Sequence, residues 1–377
     1  MPTSIVYGAN GTGKTNIIEA MEDFREIILA GNILNKEPSH FTNASHANLE
    51  LIPNVYSKND EETAFSISFI NNSKVFKYGL SARFGKFIDK NYKRTITKEQ
   101  LFIDDKELFY RDINNGIKLN FKDIKEFIST DFNEQKLDFT LKILKNNLQK
   151  TELFLTSGFK SLFSPDLVKD IKKWITYNFI VICSADKFKF VPNMTDADAD
   201  NKTIIRTKLF DKALKQLGTI STIGHTYDKD TKEVKLVSIV PYENDTIVIP
   251  SSIFESLGTI RIANLLPIVA NVIYNGKTLI IDEFEASVHP MIIMNIIKIF
   301  HDEEINKNGA QLIFNTHNPI FLNNSLFAEP LFRRDEIKFV DKDEDKKNER
   351  LIFSVGFWHK QRYSRQKHYG LYEELFY

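Results

Sequence analysis

Gly8-Ala9-Asn10-Gly11-Thr12-Gly13-Lys14-Thr15 fits the spacing G-x-x-x-x-G-K-[ST]. Glycines let successive backbone N–H groups curl around phosphate oxygens, and a helix starting at the end of the loop adds its positive N-terminus. In that pattern Lys14 reaches the β- and γ-phosphates of a nucleotide and the Thr15 hydroxyl holds Mg2+. Gly8, Asn10, Gly11, Thr12, Gly13 and Asn16 complete the candidate cradle for ATP. Two further groups suit the same chemistry. Asp282 and Glu283 follow the apolar run Leu279-Ile280-Ile281; Asp282 suits a metal shell, and Glu283 suits orienting or deprotonating a water. Asn315-Thr316-His317-Asn318 follows the apolar run Gln311 to Phe314, and His317 suits a hydrogen bond to a γ-phosphate. The bland alternatives are a plain glycine turn, solvated acids at a strand end, and a surface or capping histidine.

The flanking patterns are the ones these groups need. Ser4 to Tyr7 reads as a short strand, and Ile17, Ala20, Met21, Phe24, Ile27 and Ile28 recur at helical spacing. Thr278 to Ile281 and Gln311 to Phe314 are apolar on both faces and flank an apolar-rich helix, Met291 to Phe300. That alternation argues for a buried parallel sheet, whose strand ends are where open α/β sheets place ligands. Between the two ends, residues 40–120 show short alternating runs, including a hairpin from Ala64 to Tyr78 with the polar turn Asn71-Asn72-Ser73. Residues 121–178 return to helical spacing, Thr195 to Lys202 reads as an exposed loop, a helix is expected near 204–217, and mixed strands run to about 250.

Composition sets the limits. The 377 residues carry 50 Lys+Arg and 50 Asp+Glu, so no global field attracts nucleic acid and any such contact needs a local patch. His359 to Tyr369, with four Lys/Arg, two Tyr and no acid, is the one candidate, and a solvated face is the simpler reading of it. The single Cys183 excludes an internal disulfide framework and fits a reducing compartment. The longest apolar stretch, Leu265 to Tyr274, is interrupted by Pro267 and Asn271 and is short for a span, and no leader pattern opens the chain. A cytoplasmic protein without a membrane segment is expected. Asp196, Asp198 and Asp200 could bind a metal in principle, but acids in a polar loop are more simply solvated.

Taken together, Gly8 to Thr15 resembles a Walker A motif, Ile280 to Glu283 a Walker B motif with its glutamate, and His317 the switch histidine of ABC-type ATPases. Phe254-Glu255-Ser256-Leu257-Gly258-Thr259 resembles the ABC signature loop, although without that resemblance the spacing is weak and Ser256 reads as a plain helix N-cap. Asp282 to Pro290 is similar to the D-E-x-x-x-S-L-H-P block of the AAA-like ABC ATPases of bacterial abortive-infection and anti-phage systems, the branch that includes RloA, AbiLi and the PARIS ATPase. Arg333 to Val340 and Tyr369-Gly370 resemble the same branch.

The resemblance implies an α/β P-loop NTPase fold, an ABC-type head with an antiparallel β-lobe and a helical insertion. Residues 1–120 would form the N-terminal part of the head with the lobe, 121–178 the insertion, 179–340 the C-terminal part of the head, and 341–377 a basic-aromatic tail. It further implies that Ser256 and Gly258 contact the nucleotide of a second copy, that Ser287 couples the two sites, and that Lys14, Glu283 and His317 serve hydrolysis. The protein would then be a homodimer or higher homo-oligomer controlling an effector, a nuclease or another toxin encoded nearby. Two other classes share these motifs: a DNA-repair or chromosome-organising ATPase, which would normally carry a long heptad coiled coil, and a scaffold that clamps ATP without hydrolysing it. The chain departs from the family pattern in two places. Only seven residues precede Gly8 where the family has a further strand pair, so a late start or a truncated product is expected, and Gln100 is available as a Q-loop glutamine with nothing around it to assign it.

Overall fold

Five short parallel strands, apolar on both faces, build the layer that carries the site. In the computed structural model, Thr3–Tyr7 (β1) is followed by the helix Lys14–Ala30 (α1). Next come five strands, Glu62–Asn71 (β2), Lys74–Arg83 (β3), Thr95–Ile103 (β4), Lys106–Asp112 (β5) and Gly116–Leu119 (β6). The helices Glu134–Asn147 (α2) and Pro165–Tyr177 (α3) precede Phe179–Ile182 (β7), Thr222–Asp228 (β8), Glu233–Tyr242 (β9) and Asp245–Pro250 (β10). Leu257–Asn275 (α4), Thr278–Ile281 (β11), Pro290–His301 (α5), Gln311–Thr316 (β12), Ile337–Asp341 (β13) and Ile352–Val355 (β14) complete the order. The structure describes residues 1–34, 62–85, 93–128, 134–162, 164–185, 188–205, 221–286, 288–323, 330–341 and 352–355. The helix expected near 204–217, Ser287 and the basic-aromatic run 359–369 lie outside the described residues, as does most of 341–377.

The main sheet has the order β14-β13-β1-β12-β11-β7, parallel except for β14. Its apolar strands divide between two layers. Ile5, Ile182, Leu279, Ile281, Leu312 and Phe314 point into a core shared with α4 and α5, while Ile280, Val181 and Phe179 pack with Ile18 of α1 on the other face. Both faces are covered, which is why these strands read as continuous hydrophobic runs. α4 is long and apolar enough by length and composition to cross a membrane, but here it lies against the sheet with Ile262, Leu265, Val269 and Val272 buried. Pro267, an interruption in the sequence reading, sits inside this helix and is itself buried; its missing N–H costs one helical bond without ending the helix.

A second core joins the end of α1 (Phe24, Ile27, Ile28) to the antiparallel sheet β2-β3-β4-β5-β6 and to helical segments between Ile124 and Ile175. Two of its hairpins, β2–β3 and β4–β5, close on two residues with positive φ, Asn72 and Ser73, then Asp104 and Asp105. Those are the mirror-image turns whose twist matches paired strands. A three-stranded antiparallel sheet, β8-β9-β10, precedes α4. One local expectation is corrected. Within the stretch read as an exposed loop, Asp196–Asp200 forms a short helix, because Thr195 and Asp198 make a reciprocal capping box. The parallel sheet flanked by helices, with antiparallel sheets appended, is the mixed α/β arrangement of a P-loop ATPase.

Candidate functional site

Strand order, rather than sequence proximity, assembles the site. β12 lies between β1 and β11, so the segments leaving the C-terminal ends of all three emerge side by side. They are the glycine loop, Asp282-Glu283 and Asn315-Thr316-His317. The loop turns on the Thr12 N–H and hydroxyl, both donated to the Ala9 carbonyl. Gly11 and Gly13 have φ of 77° and 90°, which disfavours a side chain at either position. At Gly8 the constraint is space: a Cβ would lie 2.5 Å from the Val340 carbonyl oxygen. Ala9, Asn10, Gly11 and Asn16 are exposed at the rim, and Thr12 is buried. The Lys14 ammonium donates to the Gly8 and Ala9 carbonyls at 2.8 Å each. Burial lowers its pKa, against the pull of Glu285, Asp282 and Glu283.

The metal-type oxygens meet directly. The Thr15 hydroxyl donates to Asp282 Oδ1 at 3.2 Å across a separation of 267 positions, and the Asn315 amide donates to the same oxygen. Burial raises the Asp282 pKa in spite of these donors, and Glu283 and Glu285 add to the rise. A hydroxyl and a desolvated carboxylate sharing one spot are hard oxygen ligands suited to Mg2+, and a cation there would offset the cost of burying the charge.

Glu283 is fixed through its backbone. Its N–H donates to Asn315 Oδ1 at 2.7 Å, and its carbonyl accepts from Arg261 Nη2 at 2.8 Å and from the Ala286 N–H. Its φ of 48° is left-handed, a conformation that costs a residue with a side chain about 1–3 kcal/mol and persists only where surrounding contacts impose it. Phe284, fully buried against Phe314, anchors the turn from below. The Glu285 carboxylate accepts from the Thr316 hydroxyl and from the His317 N–H, and its Oε1 lies 3.6 Å from His317 Nδ1. His317 itself is 57% exposed.

The other expected residues sit farther from this group. Ser256 caps α4, its hydroxyl accepting from the Thr259 N–H at 3.1 Å and pairing with Thr259 Oγ1, so among the described residues its hydrogen bonds stay within its own turn. Gly258 lies in the same first turn. The neighbouring Glu255 is tied to Ser221 and Ser238, which joins the loop to β9. Gln100 lies in β4, packed over Gly79. Asp198 serves as a cap, Asp196 bonds Tyr227 and Asp200 pairs with Lys229, so these three acids are occupied without a metal. Among the described residues no group of three or more His, Cys, Asp or Glu side chains could hold a metal ion.

Sequence reasoning missed Asn315, Glu285 and Arg261. Asn315 and Glu285 stand inside quoted motifs, but nothing local marks them as partners of Asp282, Glu283 and His317. The block after Asp282 does carry one legible signal. His289 caps α5 through its ring and Pro290 occupies the first helical position, as an H-P pair at a helix start should. No curated protein matches the chain. Residues 4–323 match the model of a family described as an AAA domain, putative AbiEii toxin, type IV toxin–antitoxin system, and the protein belongs to that family.

Proposed function

We propose that the protein is a Mg-dependent ATPase of a bacterial anti-phage defence system, working as a homodimer closed around nucleotide and controlling a partner effector. The observation that carries the ATPase reading is the 3.2 Å contact between Thr15 and Asp282, with Glu283 held in the next position. It joins a phosphate-type loop to a metal-type carboxylate beside a base. Membership of a family described by a toxin–antitoxin system supports the defence setting.

In this reading Lys14 and the loop amides take up the charge of the β- and γ-phosphates, and the start of α1 adds its dipole. Thr15 and Asp282 would hold Mg2+, which would supply neutralisation of phosphate charge. Glu283 orients and deprotonates the attacking water, and His317, steadied by Glu285, donates to the γ-phosphate. Ser256 and Gly258 complete the site of a second copy, with Ser287 between the two sites. Dilution below the dimerisation range should therefore abolish turnover.

Glu283→Gln is the decisive substitution. Phosphate release should fall by about two or more orders of magnitude, the range of a lost general base, and a long-lived ATP-bound dimer should accumulate in light scattering. A protein whose phosphate release and association state are both unchanged by the substitution would be a non-hydrolysing clamp, and the proposal would be withdrawn.

A further inference from the structure

Arg261 lies on α4, five positions after Ser256, about 7.5 Å along the helix from it at the usual rise per residue. It is a charged residue only 8% exposed. Its guanidinium crosses from α4 to donate to the Glu283 carbonyl at 2.8 Å, while the N–H of the same glutamate is held from β12 by Asn315. One residue in a left-handed conformation thus has its two backbone polar groups gripped by two different elements, a helix and a strand. The geometry is directional. Any shift of the Glu283 peptide turns its Cα–Cβ bond, and a carboxylate at the end of that bond moves farther than the peptide does. β12 is locked in mid-sheet between β1 and β11, whereas α4 starts at the surface, with Ser256 and Leu257 exposed and Gly258 to Ile260 half-buried. The helix side of the grip is the side that can respond to a partner.

We propose that Arg261 is a positioning residue that carries the state of the Ser256–Gly258 turn to Glu283, so that the base of one site is set when the same chain closes on the nucleotide of a second copy. This rests on the dimeric ATPase reading above. Arg261 touches neither phosphate nor water in this account; it acts through the Glu283 backbone. A lysine could keep the charge and one donor but not the planar fork that reaches across from the helix.

The test compares the parent chain with Arg261→Met, which keeps the apolar stem and removes the donors, and with Arg261→Lys. Three quantities are read at protein concentrations above dimerisation: Mg-ATP affinity, kcat against KM, and amide exchange of the 280–286 segment with and without Mg-ATPγS. For Arg261→Met we expect Mg-ATP affinity and KM within about threefold of the parent and kcat down about 10- to 100-fold, the scale of a misplaced catalytic group. The added protection that Mg-ATPγS confers on 280–286 in the parent should be absent from that variant. Arg261→Lys should recover part of both. A kcat within twofold of the parent, loss of affinity in step with kcat, or undiminished nucleotide-dependent protection of 280–286 in Arg261→Met would each overturn the proposal. A parent chain that binds Mg-ATPγS yet shows no turnover would sink the ATPase reading alone, and the exchange comparison would still decide the role of Arg261.

Discussion

Asn315→Ala should be among the most damaging single changes in the molecule, and its cost can be worked from the contacts. Asn315 is 1% exposed and its amide is used at both ends: Nδ2 donates to Asp282, and Oδ1 accepts the Glu283 N–H. Removing it leaves a backbone N–H without its acceptor, worth about 1–3 kcal/mol, and takes a donor from a buried carboxylate, worth about 1.5–3 kcal/mol. Both losses come from one side chain and share relaxation, so about 3–5 kcal/mol is the expected total, against the 5–15 kcal/mol typical of a folded domain. The loss should depend on pH in a definite sense. Burial already holds the Asp282 carboxyl above its ordinary range, and without the Asn315 donor its charged form is less favoured still. A carboxyl whose folded pKa lies above its unfolded value penalises the folded state most above the folded pKa and is relieved as pH falls through it. The destabilisation should therefore be larger at pH 8 than at pH 5. Urea unfolding followed by circular dichroism at the two pH values, with Mg-ADP absent, measures it directly. A loss below about 1 kcal/mol at pH 8, or one that grows on acidification, would refute this account of the network.

Two further substitutions probe other parts of the fold. Gly8→Ala would put a Cβ 2.5 Å from the Val340 carbonyl and 2.8 Å from Thr12 Oγ1. Since Val340 belongs to the strand β13 in the β1 sheet, relief means disturbing that sheet or the loop, at about 1–3 kcal/mol for overpacking. Thermal melting and titration with a fluorescent ATP analogue should both register the change, and parental values in both would refute it. Asp23→Asn should stabilise the protein at alkaline pH: burial, with Glu19 and then Glu22 nearby, pushes the Asp23 carboxyl up to about 7. Allowing for partial solvation, the gain should be about 1–3 kcal/mol above pH 7, shrinking as pH falls and vanishing near the ordinary carboxylate value of about 4. Denaturation midpoints between pH 4 and pH 8 check it; a gain independent of pH would show that the charge is not the cause.

What could be read along the chain was local. Glycines at fixed offsets before a helical repeat, four-residue apolar runs before Asp282 and Asn315, and Asn-Ser between alternating segments each describe a conformation set within a few bonds. The structure accordingly has β1, α1, β11, β12 and the β2–β3 hairpin at those places. The short helix at Asp196–Asp200 was missed although its capping box was local too, because its acids resembled a solvated turn. Partnership was a different matter. That Thr15 meets Asp282, that Asn315 serves both carboxylate residues, that Glu285 lies beside His317, and that Arg261 reaches the Glu283 carbonyl are contacts between elements far apart in the chain. They exist because β12 is inserted between β1 and β11 and α4 lies across the sheet, an order set by burying apolar faces on both sides at once. Residue types and spacing carry no term for that choice, so the chemistry was nameable from sequence while the arrangement that aims it belongs to the packed molecule.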